Sequence, residues 1–71
     1  MKKPEILNTI RRYRFEYGEM TQEDLAARVG VSRQTIIALE ASRYVPSLGL
    51  AFRIARVFDA KVEDVFEYNE D

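Results

Sequence analysis

The side chains that carry most protein chemistry are missing from this chain. Its 71 residues include no Cys, His or Trp, which removes thiol nucleophiles, disulfides, zinc-finger ligands and the commonest general base. Twelve Asp and Glu stand against eleven Lys and Arg. The carboxylates are scattered, with no calcium-loop spacing, no nucleophile–base pair and no phosphate-binding glycine loop. No catalysis, cofactor or metal is therefore expected. What remains is recognition chemistry: guanidiniums, amides and hydroxyls that exchange hydrogen bonds without breaking covalent ones. One run, Arg11-Arg12-Tyr13-Arg14-Phe15, interleaves cations with rings, as a stacking platform for single-stranded nucleic acid does. Helical spacing argues against that use, because it turns Tyr13 inward and Phe15 to the opposite side. Phe15 is left as a cover for the last helix or for a partner chain.

The charge is unevenly placed. Residues 1–58 carry ten basic and six acidic side chains, a net of +4, while residues 59–71 carry one Lys against six acids, a net of −5. The overall −1 is thus a sum over two unlike ends. A polyanion responds to the local field, which decays over roughly 10 Å at ordinary salt. Near-neutrality is no argument against a nucleic-acid partner.

A hydrophobic fraction of 46% with 32% charged residues fits a single small globular domain over residues 1–71. The longest uncharged apolar stretch, Val45 to Phe52, is far too short for a bilayer. The opening Met-Lys-Lys-Pro-Glu has no signal-peptide apolar run, so a cytoplasmic location is expected.

Strand signals are poor and helix signals recur, so an all-α domain of five helices is expected. The first helix follows Pro4, with Ile6, Leu7, Ile10, Tyr13 and Tyr17 on one stripe and Gly18 as its stop. Arg14 falls inside that stripe. Thr21-Gln22-Glu23-Asp24 reads as a capping box with a short acid, opening a helix that buries Leu25, Ala26 and Val29 and stops at Gly30. Ser32 caps a third helix, Arg33 to Ala41. Ser47 caps a fourth, Leu48 to Phe58, expected to bury Leu48, Ala51, Phe52, Ile54, Ala55 and Phe58. A short fifth helix surrounds Val62–Phe66, and an acidic tail, residues 67–71, is expected to fray from Tyr68 onward.

The informative segment is Gln22 to Glu40. Gly30-Val31-Ser32 is too tight for an antiparallel hairpin and suits a helix-turn-helix. Ala26 is small where a second helix crosses close. Gly30 sits where a left-handed backbone is expected, and Val31, Ile36 and Leu39 plug the crossing. The series Thr21-Gln22-Glu23-Asp24-Leu25-Ala26, Val29-Gly30-Val31-Ser32-Arg33-Gln34-Thr35-Ile36, Leu39-Glu40, then Pro46-Ser47-Leu48 and Ile54-Ala55-Arg56-Val57-Phe58, resembles the Cro/lambda-repressor-like (XRE) helix-turn-helix family over roughly residues 8–67. That resemblance implies a compact five-helix DNA-binding domain, with its helix-turn-helix at about 21–41. Its third helix would enter the major groove of double-stranded DNA, commonly as a two-fold dimer on a palindromic operator. The departures lie in connections. One extra residue occurs in Gly18-Glu19-Met20, Ala41-Ser42-Arg43 replaces Asn-Gly-Lys, and Asp59 stands where a helix-ending Gly is usual.

Roles follow from the resemblance together with base chemistry. Arg33 and Gln34 open the reading helix, where Arg pairs bidentately with guanine and Gln with adenine. Ile37 and Ala38 offer an apolar contact for a thymine methyl and close approach to the groove floor. Gln22, Thr35, Arg43 and Tyr44 are candidate phosphate contacts that fix register without reading sequence. Arg14 and Glu40 match a family ion pair that joins helix one to the end of helix three. The helical wheel independently puts Arg14 on an apolar stripe, where an unpaired guanidinium is costly.

Val65, Phe66 and Tyr68 are the expected homodimer surface, since the family commonly dimerises through the C-terminal helix. That choice also moves the −5 segment off the DNA face. No membrane partner and no small-molecule ligand are expected. The function implied is a transcriptional regulator, most simply a repressor. A rival is an antitoxin-like protein-interaction module, which would need a longer tail than the few residues after Glu67.

Overall fold

The computed structural model describes residues 5–70. It begins with a short strand, β1 (Glu5–Asn8), followed by α1 (Ile10–Glu16), α2 (Gln22–Val29), α3 (Arg33–Glu40), α4 (Leu48–Val57) and α5 (Val62–Val65), and ends with a second strand, β2 (Phe66–Asn69). The strands pair antiparallel, with Ile6 opposite Tyr68 and Asn8 opposite Phe66. Five helices are thus present, but an all-α description is only approximate.

Two expectations change with that sheet. Residues 5–8 do not belong to the first helix, and Tyr68 does not fray. Pro4 lies outside the described residues. Ile6, Leu7 and Ile10 satisfy a helical stripe on paper, yet four-residue strands are too short to display alternation and their partners lie at opposite ends of the chain. An aromatic ring across from a β-branched side chain is a stabilising cross-strand pair. The strand-to-helix junction is set by Asn8 and Thr9. Asn8 Oδ1 accepts from the Ile10 amide at 3.2 Å, covering a donor at the start of α1. The Thr9 amide donates to the Val65 carbonyl at 2.8 Å, which ties the entry of α1 to the end of α5.

The expected caps are present. Thr21 Oγ1 accepts from the Asp24 amide at 2.9 Å while Asp24 Oδ2 accepts from the Thr21 amide, a complete capping box. Ser32 and Ser47 each accept from the amide three residues on. At the other ends, α2, α3 and α4 close alike. A left-handed residue follows the helix at Gly30 (φ 76°), Ser42 (φ 59°) and Asp59 (φ 53°). The amides of Val31, Arg43 and Ala60 then reach back to the carbonyls of Ala26, Ala38 and Ala55, the Schellman pattern. Only the first of these sites has the Gly that the conformation favours.

The core gathers Ile10, Met20, Leu25, Val29, Ile36, Leu39, Leu50, Ile54, Phe58 and Val65, with Ala26 and Ala55 where helices approach closely. The Phe58 ring is flanked by those of Tyr13 and Tyr17, each centroid 5.3 Å away, and Tyr17 donates its hydroxyl to the Phe58 carbonyl at 2.7 Å. On α4 the inward residues are Leu50, Ala51, Ile54 and Ala55. Leu48 and Phe52, expected inside, are 70% and 49% exposed. At about 100° per residue they fall a quarter turn or more from the centre of that inward face. No helix among the described residues is long and apolar enough to cross a membrane.

Candidate nucleic-acid interface

The helix-turn-helix is built by Gly30 and held by Glu40. A Cβ added at Gly30 would meet nothing within 4 Å, so glycine is required there for its backbone alone. The left-handed turn lets the chain leave α2 and restart as α3 only two residues later, at the Ser32 cap. Ile36 and Leu39 face the core of the domain, and Val31 packs against it half-buried. This leaves the opposite face of α3 to solvent.

Arg14 crosses from α1 to the end of α3. Its Nε donates to Glu40 Oε2 at 2.7 Å and its Nη2 to Glu40 Oε1 at 3.0 Å, a bidentate pair with side chains only 13% and 12% exposed. The remaining terminal nitrogen, Nη1, donates to the Met20 carbonyl at 2.9 Å. Gln22 Nε2 adds a further bond to Glu40 Oε1 at 3.2 Å. One carboxylate thus fastens the end of α3 to α1 and to the first residue of α2. Such a fork is rigid in a way that a lysine pair is not. The expected ion pair is therefore present in full.

The other candidates are placed as follows. Arg33 and Gln34 are exposed at the start of α3. Ile37 and Ala38 are half-buried, so the surface they offer is smaller than an outward-facing position implies. Thr35 is half-buried beside Ser32, the two hydroxyls 3.1 Å apart. Gln22 has its amide nitrogen on Glu40, which leaves its amide oxygen and the backbone at the start of α2 for another partner. Arg43 and Tyr44 are exposed in the connection after α3. Arg33, Gln22 and Thr21 line one concavity with Arg11 and Phe15.

Phe15 covers neither α5 nor a partner here. The Arg11 guanidinium lies over its ring, 5.6 Å from the centroid. The expected dimer residues separate. Val65 is 1% exposed and belongs to the chain's own core, Phe66 packs half-buried against that core, and only Tyr68 stands clear. Val65 is thus corrected from surface to core, because α5 closes the domain with that side chain. Among the described residues no group of carboxylates is placed to hold a metal.

Two positioning residues escape a reading by sequence pattern. Asn8 Nδ2 donates to the Leu39 carbonyl at 2.7 Å, joining the end of β1 to the last turn of α3. An Asn two residues before Ile10 is itself a helix-start signal that a helix begun at Pro4 conceals. Arg53 Nε donates to the Val29 carbonyl at 3.1 Å, covering the end of α2 with a cation, where carbonyls lack helical partners. Nothing local in the sequence points to that pairing.

Comparison with known proteins agrees with this geometry. A helix-turn-helix family model matches residues 18–65. An uncharacterized HTH-type transcriptional regulator of Methanothermobacter thermautotrophicus is 60% identical over 63 residues, covering 87% of this chain and 90% of that protein. Another from Methanocaldococcus jannaschii is 55% identical over 64 residues, covering 90% and 96%. Among solved structures, a putative DNA-binding protein from Bacteroides fragilis superimposes with a TM-score of 0.76 at 24% identity, over 87% of this chain and 98% of that one. At that identity the likeness speaks for the fold alone. The family match, the relatives and the Gly30 turn agree: the chain belongs to the XRE-type helix-turn-helix family.

Proposed function

We propose that this chain is a sequence-specific DNA-binding transcriptional regulator, a repressor that occupies a palindromic operator as a homodimer. The observation that carries it is the exposure of Arg33 and Gln34 on the first turn of α3, while the far end of α3 is fastened through Glu40. A reading head needs both: free hydrogen-bonding groups aimed outward, and a frame that holds them within fractions of an ångström. Arg33 and Gln34 read bases, and Ile37 and Ala38 supply apolar contact. Gln22, Thr35, Arg43 and Tyr44 hold phosphates. The relatives' description as HTH-type transcriptional regulators supports the same reading. It calls for no cofactor and no catalytic group, and it places the protein in the cytoplasm with its DNA.

Selection from random duplex DNA tests this directly. The wild type should enrich a palindrome whose half-sites lie about one helical turn apart. If no sequence is enriched at low salt, the proposal fails.

A further inference from the structure

The apolar surface left open by the fold is not where the C-terminal segment ends. Val45, Leu48 and Phe52 are 65%, 70% and 49% exposed. Leu48 and Phe52 stand one turn apart on α4, and Val45 precedes its cap. Phe52 leads into a groove of about 490 Å³ between α4 and α5, with Val62 in its wall. The groove's charged rim is Arg56 and Lys61 with Asp59 and Glu63. None of these four belongs to either of the ion pairs found among the described residues, Arg12–Glu16 and Arg14–Glu40.

We infer that Val45, Leu48, Phe52 and this groove form the two-fold seam through which two copies of the chain associate. The inference deepens the dimeric reading above and rests on it for its symmetry. An exposed apolar patch rimmed by polar groups marks an interaction site, and the rim says what occupies it. Two cations and two anions sum to zero. A phosphate backbone or an anionic lipid surface would meet Asp59 and Glu63 unfavourably, whereas a two-fold interface requires one surface to complement itself. A rotated second copy sets Arg56 and Lys61 against the partner's carboxylates while the apolar residues meet. The alternative seam along β2 has the opposite property. Residues 66–70 carry Glu67 and Glu70 with no cation, and β1 adds Glu5, so copies joined edge to edge would bring like charges together. The patch also begins where the connection from α3 ends, which sets the two reading helices on either side of the seam.

Sedimentation velocity of the full chain over a concentration series, without DNA, is the test. The wild type should sediment as a dimer. Leu48→Glu and Phe52→Glu should each weaken self-association by about thirtyfold or more, the scale of an interface hot spot, with unchanged far-UV circular dichroism. Tyr68→Ser should remain dimeric. Arg56→Glu with Lys61→Glu makes the rim wholly acidic and should give monomers, and adding Asp59→Lys with Glu63→Lys should restore the dimer. A monomeric wild type, a dimer indifferent to Leu48→Glu and Phe52→Glu, a dimer lost in Tyr68→Ser, or a charge-exchanged rim that stays monomeric would each overturn the inference. Binding of one isolated half-site separates the two readings. A chain that dimerises through this patch but selects no DNA refutes the regulator and keeps the seam. A chain that selects half-sites but fails the sedimentation test does the reverse.

Discussion

Glu40 receives both Nε and Nη2 of Arg14, at 2.7 and 3.0 Å, and so the last residue of α3 is held from α1 across 26 positions of sequence. The pair is mostly buried, and each charge is solvated chiefly by the other. Arg14→Ala or Glu40→Ala leaves one of them stranded and is expected to destabilise the fold by about 3 kcal/mol, read as a lowered urea midpoint. A Lys at position 14 should recover only part of that, because an ammonium cannot serve both carboxylate oxygens and the Met20 carbonyl from one plane. Equal midpoints for the wild type and Arg14→Ala would show that the pair contributes nothing to the fold.

The three left-handed helix ends respond in opposite directions to glycine chemistry. Gly30→Ala meets no steric neighbour but must hold a positive φ, which costs about 1 kcal/mol. Ser42→Gly and Asp59→Gly relieve that strain, offset in part by glycine's freedom in the unfolded chain, and are expected to raise stability by about 0.5–1 kcal/mol each. Thermal unfolding of the three variants should place one below the wild type and two above it.

Asn8 joins three elements with one amide. Asn8→Ala removes the bond to the Leu39 carbonyl and the one received from the Ile10 amide, at an expected cost of about 1–2 kcal/mol. Amide exchange should show the loss first at the β1–α1 junction and the end of α3. Protection unchanged at both places would contradict the coupling.

Base-reading and phosphate-holding residues leave different signatures in binding. Gln34→Ala and Ile37→Ala should relax preference at particular positions by about 1–3 kcal/mol each. Arg43→Ala should weaken all sequences alike and reduce the slope of log K against log salt by about 0.9. A uniform loss in Gln34→Ala would move that residue from the bases to the backbone.

The sequence by itself determined the parts of this protein whose causes are local. Thr21, Ser32 and Ser47 cap helices because each hydroxyl reaches an amide three residues away. Gly30 marks the turn because its own φ must be positive. The Gln22–Glu40 motif was legible for the same reason, and Arg14 betrayed its partner by sitting on an apolar stripe. Other features have causes that span the chain, and only the tertiary structure decided them. β1 exists because β2 arrives beside it from the far end. Val65 is core because α5 folds back on α1, and Arg53 covers the end of α2 because α4 crosses there. On α4, spacing alone grouped Leu48 and Phe52 with Leu50 and Ile54. Their sides were assigned by where the neighbouring helices lie, since burial is a property of the packed neighbours and not of the residue.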